Sequence, residues 1–140
     1  MKKRLLAFTV VLLSALPYLY SASIHVTITN VKEPKGEVII YLYKGSEGFM
    51  EPDSAYEIVK IEASDYREGY TFSNLEAGEY VVILHHDKDR NGKMKSLLGI
   101  PREGFGFSRN YRPKTRSPKF NEVKFAVEGD TTIEIKMIYF

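Results

Sequence analysis

The sequence predicts an all-β protein, an antiparallel β-sandwich of immunoglobulin-like or transthyretin-like type. Three observations point there. Beyond the first two dozen residues the apolar side chains recur with a period of two. Turn-forming residues such as Glu33-Pro34-Lys35-Gly36, Asn91-Gly92 and Glu128-Gly129-Asp130 separate the periodic stretches. No stretch carries a helical period, which leaves about seven short strands joined by turns. With 140 residues, 44% of them hydrophobic and 13% aromatic, the chain can build one packed core, and disorder is excluded as its main description.

The first residues have the character of an export signal. Lys2, Lys3 and Arg4 form a basic start, Leu5 to Leu16 an apolar run, and Ser21-Ala22-Ser23 a small-residue cleavage site, with the cut expected before Ile24. The apolar run is shorter than the ~20 residues a spanning helix needs, so no transmembrane segment is expected in the mature chain. Residues 1–23 are thus read as a signal peptide and 24–140 as a single sandwich domain. The expected address is the periplasm or the outside of the cell.

The first strand alternates Ile24, Val26 and Ile28 with His25, Thr27 and Thr29. Glu37 to Tyr43 is apolar on both faces, Val38, Ile40 and Leu42 against Ile39, Tyr41 and Tyr43, which is the mark of a central strand. A loop over 45–54 leads to a weaker strand at 56–63 and a short one at 70–72. Gly78-Glu79-Tyr80 opens the strongest strand, 79–86, with Tyr80, Val82 and Leu84 on one face and Val81, Ile83 and His85 on the other. Strands at 122–127 and 131–139 close the chain. The one long irregular connection, 87–119, stands apart, because loops of that length are functional or mobile.

Composition narrows the chemistry. Removing Lys2, Lys3 and Arg4 from the 20 basic residues leaves 17 against 18 acidic ones, a mature net charge of −1. Residues 101–120 nevertheless hold Arg102, Arg109, Arg112, Lys114, Arg116 and Lys119 against Glu103 alone, a local +5. There is no cysteine, hence no disulfide, thiolate site or thiol nucleophile. The terminal Phe140 resembles the end of an outer-membrane barrel strand, but counting back by twos meets Lys136 and Glu134, which cannot face lipid.

The order of FSNLEAGEYVVILHHDKDRNGK, LGIPREGFGFSRN and PKFNEVKF resembles the bacterial "domain of unknown function 2141" family, over about Gly36 to Tyr139. The motifs that carry it are the Gly-x-Tyr strand entry, His86-Asp87 before Asn91-Gly92, Gly99-Ile100-Pro101 with Glu103, and Gly106-Phe107-Ser108. The resemblance implies an exported small β-sandwich with no established activity. Lys95 and Ser96 depart from it, standing where an acidic residue is common in the family.

Asp87, Asp89 and Asn91 fall at positions 1, 3 and 5 of a calcium loop, with Gly92 at the sixth. The twelfth position is Leu98 rather than a bidentate carboxylate, so Glu103 or backbone carbonyls must complete the shell around Ca2+. The other reading is a turn whose aspartates cap backbone amides. His86 with Asp87 and Asp89 has the donor types for zinc or copper, whereas a strand-end histidine commonly bonds a carbonyl or carboxylate instead. In the glycine-aromatic run, Phe105 and Phe107 either plug the sandwich or form an exposed shelf with Tyr111, Arg109, Arg112 and Arg116 that binds a ligand. Nucleic acid is not an expected partner of an exported, near-neutral protein. No nucleophile turn or paired-ligand helix signals catalysis. The expected role is a non-catalytic binding or accessory module of the cell envelope, working through 87–119 on a glycan, a peptide or an anionic envelope component, with a calcium-ordered loop as one form of it. A structural subunit of an envelope complex is the alternative, and a hydrolase the minority one.

Overall fold

A computed structural model describes residues 21–140. The basic start and apolar run of the expected signal lie outside the described residues. Strand β1 (Ala22–Thr29) begins two residues before the expected cleavage point, with Ala22 buried and paired to Leu75.

Nine further strands follow: β2 (Glu37–Lys44), β3 (Glu57–Glu62), β4 (Tyr70–Leu75), β5 (Gly78–Asp87), β6 (Ser96–Leu97), β7 (Ile100–Pro101), β8 (Gly104–Phe107), β9 (Phe125–Val127) and β10 (Thr131–Lys136). One sheet has the order β10-β1-β4. The other runs β3-β2-β5-β8, with β9 on the start of β5, and β6-β7 form a separate hairpin. The sandwich is all-β, and every pairing is antiparallel except β1 with β10. A parallel pair needs a crossover between its strands. Here the whole domain lies between the first strand and the last, so no extra connection is required.

The alternation in the sequence becomes the core. Ile24, Val26 and Ile28 of one sheet meet Val38, Ile40, Leu42, Tyr80, Val82 and Leu84 of the other, all at most 2% exposed. The Tyr80 hydroxyl donates to the Glu76 carbonyl at 2.7 Å and pins the turn that feeds β5. The opposite faces of β2 and β5 are buried too, under a second cluster of Tyr43, Val81, Phe105, Phe107, Phe120 and Val123. That second layer explains why Glu37 to Tyr43 is apolar on both sides.

Two expectations are corrected. The stretch 122–127 is not one strand. A helical turn, α1 (Phe120–Val123), precedes β9; Glu122 accepts the Lys119 N–H at 2.7 Å, and Phe120 and Val123, three apart, both reach the outer cluster. The connection 87–119 is not wholly irregular, because it contains the β6-β7 hairpin and β8. In β8 the alternation is inverted. Gly104 and Gly106 face the other sheet so closely that a Cβ would stand 2.4 Å from the Tyr139 ring and 2.8 Å from Ile135, while Phe105 and Phe107 turn outward.

The two sheets join along this edge. Phe105 and Ile138 exchange backbone hydrogen bonds of 3.0 and 2.7 Å. Farther on, the Asn110 side chain donates to the Glu134 carbonyl and accepts the Lys136 N–H at 2.8 Å, standing in for a strand partner. Among the described residues no helix is long and apolar enough to cross a membrane.

Candidate functional site

The outer face of β5 and the start of β8 hold a buried polar group. His85 lies opposite Phe105 in the β5-β8 register, which brings it against Glu103 just ahead of β8. Its Nε2 donates to Glu103 Oε2 at 2.9 Å, and both side chains are about 95% buried. Glu103 also accepts the backbone N–H groups of Lys95 at 3.0 Å and Lys88 at 3.3 Å. Burial by itself raises the Glu103 carboxyl, but the hydrogen bonds from His85 and the two amides outweigh it and hold the group below its usual range. An ionised Glu103 only accepts, so Nε2 of His85 carries the proton, and Nδ1 is the ring nitrogen without a partner among the described residues.

Two residues along, Asp87 is fully buried and closes its own loop. Its carboxylate accepts the N–H of Gly92 at 2.6 Å and of Asn91 at 3.2 Å. Asp89 accepts the Asn91 N–H and pairs with Lys95 at 3.2 Å, and Asn91 accepts the N–H of Lys93 at 2.7 Å. The loop is thus an Asx-capped turn. Of the four residues expected around a cation, Asp87 and Glu103 come together, with His85 as third member; donor atoms of these three lie within 4.8 Å of one another. Asp89 and Asn91 are spent on the loop. One nitrogen and two oxygens suit a first-row divalent ion better than calcium, yet four backbone N–H groups and an imidazole already satisfy the two carboxylates.

His86 faces the other way, into the sandwich core. Its Nε2 donates to the Lys35 carbonyl at 2.8 Å and its Nδ1 accepts the Tyr139 hydroxyl at 2.7 Å. Both ring nitrogens are used inside the protein. His86 therefore does not join Asp87 and Asp89 in a zinc or copper set.

His85 lies in a groove of about 1130 Å3 over the outer face of the second sheet. Tyr41, Tyr43, Ile83, Phe105 and Phe107 line it with His85; the β6-β7 hairpin supplies Leu98 and Ile100, and 113–117 supplies Lys114 and Arg116. Burial pushes the Tyr43 phenol up to about 12 and raises Tyr41, so both stay neutral hydrogen-bond donors. Among the described residues, Lys93, Arg102, Lys114 and Arg116 are the charged side chains of the lining, and no aspartate or glutamate side chain accompanies them. Arg116 is held by two bonds to Glu122, of 2.8 and 2.9 Å.

The residues expected to bind a ligand are divided by the fold. Phe105 and Phe107 are 6% and 5% exposed, so they cannot be an exposed shelf; they are plugs whose edges reach the groove. Arg116 lines the groove and also a smaller depression of about 260 Å3, whose lining includes Tyr111 and Arg112. Arg109 lies in neither. Sequence reasoning missed Tyr41, Tyr43, Ile83 and His85 as a site. The available signal was the apolar outer face of β2 and β5, which has to be covered by something.

Comparison with curated proteins and with solved structures finds no match. The family model described as "Uncharacterized protein conserved in bacteria (DUF2141)" matches residues 26–135, from β1 into β10 and through the whole groove-bearing connection. The chain belongs to that bacterial family.

Proposed function

We propose that the protein is a non-catalytic binding module of the bacterial cell envelope whose groove takes an anion with an apolar, ring-bearing body. The observation that carries this is the groove's composition among the described residues: an aromatic floor, the unpartnered Nδ1 of His85, and four cationic side chains with no carboxylate side chain among them. An apolar pocket with a few convergent polar groups is the usual form of a small-molecule site. Excess charge of one sign at its mouth attracts the opposite one. The basic start and apolar run of residues 2–16 support export, and with it a ligand drawn from the envelope: an anionic glycan, a peptide or a lipid-derived acid. Calcium is left out of this reading, because the loop oxygens already have partners. So is hydrolysis, because His85 is tied to Glu103 and hydrogen-bonds no hydroxyl among the described residues.

Anilinonaphthalene sulfonate is a suitable probe, being an aromatic anion that fluoresces when shielded from water. One saturable site is expected, weakened at least about tenfold when Lys93, Arg102 and Lys114 are all changed to Glu, which is about 1.4 kcal/mol or more. Equal binding by parent and triple variant would remove the groove from consideration.

A further inference from the structure

The β6-β7 hairpin has the opposite of an ordinary surface composition. From Gly92 to Arg102 the chain contains Lys93, Lys95 and Arg102 and no acidic residue. Between those cations lie Met94, Leu97, Leu98 and Ile100, exposed by 39%, 53%, 94% and 51%. Bulky apolar side chains that stay in water singly need no explanation, but four within seven residues at one tip do.

The turn itself is built at a cost. Leu97 pairs with Ile100, and the two residues between, Leu98 and Gly99, both have positive φ, 51° and 77°. This is the two-residue type I′ turn, where Asn-Gly is the favoured pair, and leucine is disfavoured because its Cβ crowds the backbone in the left-handed region. No packing repays Leu98, since its side chain is almost wholly in solvent. Backbone strain held without a structural return points to use elsewhere.

We infer that the hairpin is a membrane-docking element, with Leu97 and Leu98 entering the interfacial zone of an anionic bilayer while Lys93, Lys95 and Arg102 meet its headgroups. Charge complementarity selects this partner. Apolar residues framed by lysine and arginine are the recognised pattern of interfacial binding, and each supplies what the other lacks, because burial of one or two side chains alone gives weak, reversible attachment. Lys93 and Arg102 have no carboxylate partner among the described residues, and Lys95 has one exposed partner, Asp89. Leu98, Lys93 and Arg102 also line the groove, whereas Leu97 does not, so Leu97 is the position that separates docking from groove occupancy.

The chain has no tryptophan, so Leu98→Trp creates a single tryptophan reporter that can be excited apart from the tyrosines. With vesicles of phosphatidylglycerol and phosphatidylethanolamine its emission is expected to shift to the blue, and with phosphatidylcholine alone to stay unchanged. In co-sedimentation on the anionic vesicles, Leu97→Asp is expected to weaken retention at least about tenfold, and Lys93→Glu with Arg102→Glu by a similar factor. Thermal melts of both variants check that the fold is unchanged, and Leu97→Asp should keep the parent's affinity for anilinonaphthalene sulfonate. No retention on anionic vesicles overturns the inference. So does retention indifferent to Leu97→Asp, which would be adsorption by charge alone, or a concentration-dependent dimer that Leu97→Asp dissolves, which would make a second copy of the chain the occupant.

Discussion

Asp87 shows how one buried carboxylate can be structural. Among the described residues it forms no salt bridge, and its carboxylate accepts the amides of Asn91 and Gly92. Removing it leaves the Gly92 N–H without its acceptor and the Asn91 N–H with Asp89 alone, and a hydrogen-bond partner lost from a buried group costs about 1–3 kcal/mol. Asp87→Ala is expected to lower the denaturation midpoint accordingly, and calcium added to the parent is expected to leave the midpoint unchanged; a calcium-dependent rise would restore the cation reading of this loop. His86 and Tyr139 form a comparable pair in the core. Tyr139→Phe removes the hydroxyl that donates to Nδ1 of a fully buried ring, so a loss of about 1–3 kcal/mol is expected, measured by urea denaturation.

At the scale of elements, β5 was legible and β8 was not, for the same physical reason. A period-two pattern assigns apolar residues to buried faces, and β5 obeys it on both, so its span and its Tyr80, Val82, Leu84 face follow from the residues alone. In Gly104-Phe105-Gly106-Phe107 the apolar residues point away from the sandwich, because Tyr139 and Ile135 leave no room for a side chain on the inner face. A local pattern cannot display a steric limit set by residues at the far end of the chain. Gly106→Ala is therefore expected to destabilise by about 1–3 kcal/mol, the usual cost of overpacking. The site was half legible: Asp87 and Asn91 announce their turn locally, whereas the His85–Glu103 bond depends on the β5-β8 pairing. The β6-β7 turn offers the opposite mutation. Leu98→Asn suits the left-handed conformation, so a stability gain of up to about 1 kcal/mol is expected, together with weaker retention on anionic vesicles. Stability and docking moving in opposite directions would separate the two roles of that residue.

Across the whole molecule the ionisable groups set a one-sided response to acid. Glu33, Glu62, Glu76, Asp89, Glu103 and Glu122 all lie below their usual values, Glu122 at about 2 through its hydrogen bonds from Arg116 and the Lys119 amide. A carboxyl depressed in the folded state contributes stability that is fully present above its unfolded value, near 4.5 for glutamate, and that is lost as pH falls through the folded one. Lys44, Lys60, Arg90 and Arg116 are raised by their acidic partners, so their contribution persists until strongly alkaline pH. Stability should therefore hold level from about pH 5 through neutrality and fall steadily below about pH 4.5. Five of the six acids sit on the surface, where salt screens their pairs, whereas Glu103 is enclosed between His85 and two backbone amides. High salt should flatten part of the acid limb and leave the remainder, and Glu103→Gln should remove much of what salt leaves. An acid limb abolished by salt alone would mean that the buried His85–Glu103 pair contributes nothing to the fold.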